Sequence, residues 1–291
     1  MPMGLERPII IVSAGRSGST LLHEMLSRHP QLAWLSRALG RAPDRPGRNR
    51  TVLRAAGLPW IGGLVRRKFP PDECYGFWDH HFPGFSRPFR DLRADDVTAY
   101  VRGRTREALD GVTVDSKPRL LLKVTGWPRI GFLSEVLPDA RFVHLVRDGR
   151  AVANSLLGVS WWRGWRGPSG WRFGELSAEE REVWEASGRS FLALAGLAWT
   201  RILDALDAGA STLPAGRLTE VSYEDLCRDH VRFVQRIAHF CDLGWSERFS
   251  RALQAFDPRS TNDRWRRELT VEQQRVITRV TRPHLEARGY L

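Results

Sequence analysis

The sequence is poor in features that would each assign the protein to a particular class. Its three cysteines, Cys74, Cys227 and Cys241, form no Cys-x-x-Cys pair, which argues against a disulfide framework and against a structural zinc site. No apolar run approaches the roughly 18 residues of a transmembrane helix. The short apolar run at residues 9–12 is followed by no small-residue cleavage site of a signal peptide. We therefore expect a cytoplasmic protein in a reducing compartment.

Lysine is scarce although the chain is strongly basic. Lys and Arg together number 45 against 33 Asp and Glu, a formal charge of +12, yet the only lysines are Lys68, Lys117 and Lys123. The arginines are spread along the chain, with short clusters only at residues 66–68 and 264–267. Charge distributed in this way favours capture of a small anion, so we expect no nucleic-acid partner. A basic nucleic-acid-binding module is the non-enzyme alternative.

The pattern of apolar residues predicts an α/β protein. Short apolar runs typical of buried strands alternate with segments of helical spacing, which predicts a three-layer domain with a central, mainly parallel sheet flanked by helices. We interpret residues 1–291 as a single domain. Residues 31–70 are rich in Arg, Pro and Gly and have weak periodicity, so we expect irregular structure there. The predicted strands are residues 9–12, 119–125, 142–146 and 217–223.

A turn rich in Gly and Ser follows the first predicted strand and precedes a helix. In residues 13–20 the backbone N–H groups of the turn and of the first helical turn converge on one point, with the positive end of the helix dipole behind them. The turn lacks the lysine of a nucleotide-triphosphatase loop, and its only strong cation is Arg16. This favours a terminal phosphate or sulfate held without metal. The alternatives are an ordinary glycine-rich turn and a kinase that uses ATP and magnesium.

Two further strands end in cations. Open α/β sheets bind ligands at the carboxyl ends of their strands, and lysine is rarely buried unpaired, so we expect Lys123 to point into that crevice. Arg147 ends the third strand and Ser155 lies two turns along the next helix. A guanidinium and a hydroxyl placed in this way can hold a phosphate dianion. Such a second anchor would distinguish a ligand that carries two separate anionic groups from ATP or GTP.

Two segments carry a family resemblance. The run Gly15-Arg16-Ser17-Gly18-Ser19-Thr20-Leu21-Leu22 resembles the 5′-phosphosulfate loop of sulfotransferases that use 3′-phosphoadenosine-5′-phosphosulfate (PAPS). The stretch from Ala140 to Ser155 resembles the 3′-phosphate segment of the same family. The chain is thereby identified as a member of the bacterial-type PAPS-dependent sulfotransferases. This implies a P-loop-like fold, PAPS as donor, no metal, and transfer of a sulfuryl group to a hydroxyl.

The resemblance also implies roles for individual residues. Those of the loop would hold the 5′-phosphosulfate: Arg16, Ser17, Gly18, Ser19 and Thr20. Arg147 and Ser155 would hold the 3′-phosphate. Lys123 would offset charge on the leaving oxygen, with Lys117 as the second candidate for this lysine. The run Tyr223-Glu224-Asp225-Leu226 is similar to a segment that places its tyrosine near the adenine. In residues 259–270, which resemble a late loop of the family without its glycines, Trp265 would stack on the adenine and Arg266 would reach the 3′-phosphate.

The general base is less clearly marked, because residues 32–36 lack the carboxylate that related enzymes often carry after the first helix. Removal of the acceptor's proton suits a glutamate or a histidine. Residues 72–82 interleave acids, aromatic residues and two histidines, which we interpret as a loop facing the site. Glu73 is the first candidate and His80 the second, with Asp79 and His81 left open. The competing interpretation is an apolar loop with solvated acids.

The acceptor is not specified by the sequence. A carbohydrate, glycolipid, lipid or small molecule would each fit, and contact with a membrane surface and the oligomeric state stay open. We expect acceptor-side insertions near residues 31–118 and 160–175. The second contains four tryptophans among glycines and arginines, which predicts either a lid or acceptor platform or a self-packed Ω-loop.

Overall fold

A five-stranded sheet forms the centre of the computed structural model, which describes residues 5–87 and 89–291. All strand pairings are parallel, and the order is β2-β3-β1-β4-β5. The central strand β1 pairs through Ile11 with Lys123 on one side and with Val143 on the other. The predicted α/β architecture is confirmed. The strands are β1 (Ile9–Ser13), β2 (Leu32–Trp34), β3 (Arg119–Thr125), β4 (Arg141–Val146) and β5 (Leu218–Ser222).

Fifteen α-helices connect and cover the strands in the described residues. They are α1 (Ser19–Leu26), α2 (Arg37–Gly40), α3 (Pro46–Ala56), α4 (Gly62–Lys68), α5 (Tyr75–His81), α6 (Ala99–Asp110), α7 (Ile130–Val136), α8 (Gly149–Leu157), α9 (Ala178–Ala186), α10 (Phe191–Ser211), α11 (Tyr223–Arg228), α12 (His230–Phe240), α13 (Glu247–Gln254), α14 (Arg264–Glu268) and α15 (Val271–Ala287). Three 3₁₀ turns lie at Ala94–Asp96, Gly164–Arg166 and Pro168–Gly170. In the part of the chain that the structure describes, no helix is long and apolar enough to span a bilayer.

The three layers follow from the alternation of side chains along β1. Ile10 and Val12 belong to a core cluster that includes residues of α7 and α10. Ile9 and Ile11 point to the opposite face of the sheet and pack in a second cluster with α1 and α12. Because both faces are covered, the strand is apolar at each position from Ile9 to Val12 instead of alternating with polar residues.

Two predictions of local structure are wrong. Residues 31–70, expected to be irregular, contain β2 and the helices α2 to α4. Three residues of β2 are too short for a sequence pattern, and α3 begins with Pro46 at its first position, where proline favours a helix. Residues 72–82, expected to form a loop, contain α5, in which Phe77 and Trp78 are buried in the core. Their burial stabilises the helix through tertiary packing.

The later elements agree with the sequence pattern. The last helix, α15, begins with a capping box, in which Gln273 N–H donates to Thr270 Oγ1 at 3.2 Å and Thr270 N–H donates to Gln273 Oε1 at 2.9 Å. Residues 160–175 form neither a strand nor an α-helix. Regular structure in this range is limited to the two 3₁₀ turns at Gly164–Arg166 and Pro168–Gly170.

Candidate active site

The loop between β1 and α1 depends on a glycine at its last position. Gly18 has φ +91°, and a Cβ atom there would lie 2.5 Å from the ring of Tyr223. A side chain at this position would therefore be strained and would also collide with the ring. The close approach of Tyr223 fixes the loop at the amino end of α1, where the unpaired backbone donors of the helix lie.

The loop contains a polar group that its surroundings leave unsatisfied. The Ser17 hydroxyl is buried and has no hydrogen-bond partner in residues 5–87 and 89–291. A buried hydroxyl normally finds a partner, since an unpaired one costs about 1–3 kcal/mol. An oxygen of a phosphate or sulfate would supply this partner. The residues present therefore fit the phosphosulfate end of PAPS.

Arg16 and Arg147 join the two predicted anion-binding segments. Arg16 Nε donates to the hydroxyl of Ser155 at 3.0 Å. Arg147 Nη1 donates to the backbone oxygen of Arg16 at 2.9 Å. The loop after β1 and the segment after β4 thus lie in direct contact at the carboxyl ends of adjacent strands.

Arg147 is held from several sides. Its Nε donates to Asn262 Oδ1 at 2.8 Å and its Nη2 to Thr261 Oγ1 at 2.9 Å. Its guanidinium carbon lies 4.4 Å from the ring centroid of Tyr223. Burial lowers the pKa of Arg147 from its ordinary value, but arginine keeps its charge in proteins. The sequence analysis assigned no role to Thr261 or Asn262. Both lie in the stretch 259–270, whose resemblance to a late loop of the family was the signal that could have pointed to them.

Lys123 and Glu73 form a second polar centre beside the loop. Lys123 Nζ donates to Thr20 Oγ1 at 2.9 Å and lies 3.0 Å from Glu73 Oε1. The same carboxylate oxygen accepts a hydrogen bond from the Thr125 hydroxyl at 2.8 Å. Lys117, the second lysine candidate, instead donates to the backbone oxygen of Pro30 at 3.0 Å. The structure therefore brings Glu73, Lys123 and the loop together and leaves Lys117 before the amino end of β3.

His80 lies among different partners. Its exposed ring is 4.9 Å from the ring of His81, whose pKa burial lowers to about 4. Both histidines line a cavity of about 530 Å³ together with Arg104 and Glu107. Asp79 accepts a hydrogen bond from the backbone of Ser86. Of the four candidates for the base, Glu73 is the one in contact with Lys123.

Trp265 is buried and has two cationic neighbours. The guanidinium carbons of Arg150 and Arg266 lie 4.7 and 4.6 Å from the centroid of its indole. Arg150 is held in turn by Asp148, the N-cap residue of α8, at 2.8 Å. An adenine stacked on Trp265 would have to take the place of one guanidinium. Stacking by Trp265 and phosphate contact by Arg266 stay predictions.

The four tryptophans of the segment 160–175 divide into two pairs. Trp162 and Trp171 are buried in a core cluster with the start of α10. Trp161 and Trp165 are exposed, and the indole of Trp161 lies 3.7 Å from the position of a Cβ on Gly15. The segment is thus anchored by one pair, while Trp161 lies over the loop that follows β1.

The family assignment follows from a direct match. The model of the sulfotransferase family covers residues 8–247, more than half of the chain. The chain belongs to the sulfotransferase family. It is accordingly an enzyme that transfers sulfuryl groups, with PAPS as the donor that the family uses. No curated protein matches the chain at a significant level.

Solved structures of low sequence identity share the fold. Sulfotransferase STF9 from Mycobacterium avium is 17% identical with a TM-score of 0.59, and the match covers 97% of this chain and 77% of that one. Sulfotransferase STF1 from Mycobacterium tuberculosis H37Rv is 19% identical with a TM-score of 0.56, covering 95% and 76%. The sulfotransferase domain from the curacin biosynthetic pathway is 15% identical with a TM-score of 0.51, covering 96% and 98%.

The segment around Thr261 lies beyond the family match, which ends at residue 247. Its connection to the site therefore depends on the two hydrogen bonds that Arg147 donates to Thr261 and Asn262. The Asn262 amide also contacts the carboxylate of Glu224 at the start of α11. These contacts tie residues 261–262 to the carboxyl end of β4 and to the start of α11.

Proposed function

We propose that this sulfotransferase binds PAPS across the contact between Arg16 and Arg147 and transfers its sulfuryl group to an acceptor hydroxyl deprotonated by Glu73. The observation that carries the proposal is the chain of hydrogen bonds from Arg147 to the backbone of Arg16 and from Arg16 to Ser155. It supports one continuous site for a nucleotide that carries anionic groups at both its 5′ and 3′ positions.

The donor side is a set of fixed positive and hydrogen-bonding groups. Arg16, the buried hydroxyl of Ser17 and the amino end of α1 would bind the 5′-phosphosulfate. Arg147 and Ser155 would bind the 3′-phosphate, with the Arg147 guanidinium already oriented by Thr261 and Asn262. Groups oriented before the ligand arrives lose little conformational freedom on binding.

The ion pair of Glu73 and Lys123 supports both proton removal and stabilisation of the leaving group. PAPS, when bound, supplies the activated sulfuryl group. As the new bond between the acceptor oxygen and sulfur forms, Glu73 takes the proton of the acceptor hydroxyl and becomes neutral. Lys123 then loses its counter-ion, and its charge is available to the bridging oxygen that departs with the leaving phosphate. Positioning and charge stabilisation of this kind need no covalent intermediate on the protein.

We assign acceptor binding to residues 31–118, which include Glu73, and to residues 160–175, which include Trp161. A hydroxyl of a carbohydrate, glycolipid, lipid or small molecule would serve as the acceptor. Incubation of cell extracts with labelled donor, followed by mass determination of the labelled product, would identify the acceptor.

Titration calorimetry tests the donor assignment. Adenosine-3′,5′-bisphosphate should bind without magnesium, and Arg147→Ala should weaken it by at least about 100-fold, because several charge-assisted hydrogen bonds are lost. Arg141→Lys, at the opposite end of β4, is the matched control and should bind like the wild type. Tighter binding of ATP with magnesium would contradict the proposal and favour a kinase.

A further inference from the structure

Four large apolar side chains are exposed within seven residues at the turn between α3 and α4. Leu58, Trp60, Ile61 and Leu64 are 52%, 93%, 44% and 68% exposed. Single exposed apolar residues are normal on protein surfaces, whereas a contiguous group marks an interaction site. We call residues 57–64 the α3–α4 tip.

The tip is a tightly built turn. Gly62 N–H donates to the backbone oxygen of Leu58 at 2.9 Å. A Cβ atom on Gly62 would lie 2.6 Å from the backbone oxygen of Ala56, so glycine allows α4 to close directly on the end of α3. In this turn the side chain of Trp60 points into solvent, away from the core on which α3 packs.

The inner side of α4 is attached to the body of the protein. Arg66 Nη1 donates to the backbone oxygen of Ser27 at 3.2 Å, and its guanidinium lies 5.5 Å from the ring of Trp34 in β2. Arg67 and Lys68 are exposed. The tip therefore presents apolar side chains followed immediately by two solvated cations.

Basic residues predominate in the sequence on both sides of the tip. Between Asp44 and Asp72 the chain has no acidic residue. The cations in the same stretch are Arg45, Arg48, Arg50, Arg54, Arg66, Arg67 and Lys68. Basic residues beside exposed apolar ones are attracted to anionic lipid headgroups, and the formal charge of +12 acts in the same direction.

We propose that the α3–α4 tip docks the protein on the surface of an anionic phospholipid bilayer. Trp60 and Leu64 insert at the interface, where amphipathic indole rings are favoured, and Arg67 and Lys68 contact the headgroups. Four side chains offer well under the roughly 800 Å² per partner of a stable protein interface. An interfacial anchor needs only a few apolar side chains together with basic charge.

The position of the tip gives docking a consequence for the enzyme. Lys68 and Glu73 are five residues apart in the chain, a span of at most about 18 Å. Docking would therefore bring the acceptor side close to the lipid surface. The inference goes beyond the proposed function, because it does not depend on which hydroxyl is sulfated.

Vesicle flotation of the full chain tests the proposal. The protein should float with vesicles of equal parts phosphatidylglycerol and phosphatidylcholine and should bind pure phosphatidylcholine at least about fivefold less well. The double variant W60S/L64S should lose about tenfold or more of its partition into the anionic vesicles. Arg67→Gln and Lys68→Gln should each weaken binding about fivefold.

Phe89→Ser is the matched control, because Phe89 is 84% exposed and lies outside the tip; its partition should equal that of the wild type. Unchanged affinity for adenosine-3′,5′-bisphosphate shows that W60S/L64S is folded and separates this test from that of the proposed function. Absence of wild-type binding to anionic vesicles, or equal binding by W60S/L64S, would overturn the proposal. So would sedimentation showing that W60S/L64S merely converts a dimer into a monomer.

Discussion

Arg147 Nη1 donates a hydrogen bond to the backbone oxygen of Arg16 at 2.9 Å. The two residues follow different strands, Arg16 after β1 and Arg147 after β4. These strands pair in parallel, with Val12 opposite His144, so their carboxyl ends meet at one edge of the sheet. The contact makes the loop after β1 structurally dependent on a side chain of the neighbouring segment.

This dependence predicts that Arg147 affects ligands without a 3′-phosphate. In Arg147→Ala the backbone oxygen of Arg16 loses its donor, so affinity for adenosine-5′-phosphosulfate should fall roughly threefold to tenfold, the effect of one hydrogen bond. The bisphosphate, which also loses its direct contact, should suffer far more. Calorimetric titration of both ligands measures the difference, and equal affinity of wild type and variant for the 5′-ligand would show that the contact has no role in ordering the loop.

A second prediction concerns Gly18 and the ring of Tyr223. Gly18→Ala combines a left-handed backbone with a Cβ atom 2.5 Å from the ring, so both stability and nucleotide binding should decrease. Gly216→Ala is the matched control, since Gly216 has φ +76° and no neighbour within 4 Å of a Cβ. The control should lose only the roughly 1–2 kcal/mol of backbone strain and keep its affinity for adenosine-3′,5′-bisphosphate.

Thermal unfolding and nucleotide titration of both glycine variants separate the two effects. If the Gly18 and Gly216 variants lost equal stability and bound nucleotide equally well, the contact with Tyr223 would be unimportant for the loop.

A third prediction distinguishes the two main candidates for the general base. Glu73→Gln keeps the shape of the side chain but removes the proton acceptor beside Lys123, so kcat should fall by about 10²–10⁴. Affinity for adenosine-3′,5′-bisphosphate should not weaken, because Lys123 keeps its charge. His80→Asn should retain kcat, since the His80 ring lines a different cavity. Steady-state rates with the identified acceptor measure both, and the reverse pattern would assign the base to His80.

Much of the sheet could be predicted from the sequence, because its buried strands are continuous apolar runs. The runs ending near Lys123 and Arg147 are strands β3 and β4, and the pairing of β4 with β1 brings Arg147 to Arg16. The edge strand β2 was missed, since its three residues carry no periodic signal. Its place in the sheet depends on pairing with β3, more than 80 residues away in the chain.

Contacts between distant segments account for the rest of what sequence reasoning missed. Asn262 is 115 residues from Arg147, and no local pattern indicates that the two side chains meet. The division of the tryptophans also depends on tertiary packing: Trp162 and Trp161 are neighbours in the chain, yet one is buried against α10 and the other lies over Gly15.

His23 lies beneath the site in a fully buried position. Burial, assisted by the nearby charge of Lys123, lowers the pKa of His23 from 6.5 to about 3. The ring is therefore neutral at physiological pH, which leaves Lys123 without a competing positive charge beneath the loop.

The pKa of His23 predicts how stability depends on pH. Below pH 6.5 the unfolded chain protonates this histidine, whereas the folded protein does not until about pH 3. The free energy of unfolding should therefore decrease as the pH is lowered across this window, by up to about 1.4 kcal/mol per pH unit.

Asp91, whose pKa burial raises to about 6, acts in the opposite direction. The effect of His23 is therefore measured as the difference between wild type and His23→Leu in urea unfolding from pH 7 to 5. The variant should lose less stability than the wild type on acidification, while the exposed His239→Gln should follow the wild type. Parallel losses in wild type and His23→Leu would show that His23 protonates equally in the folded and unfolded chains.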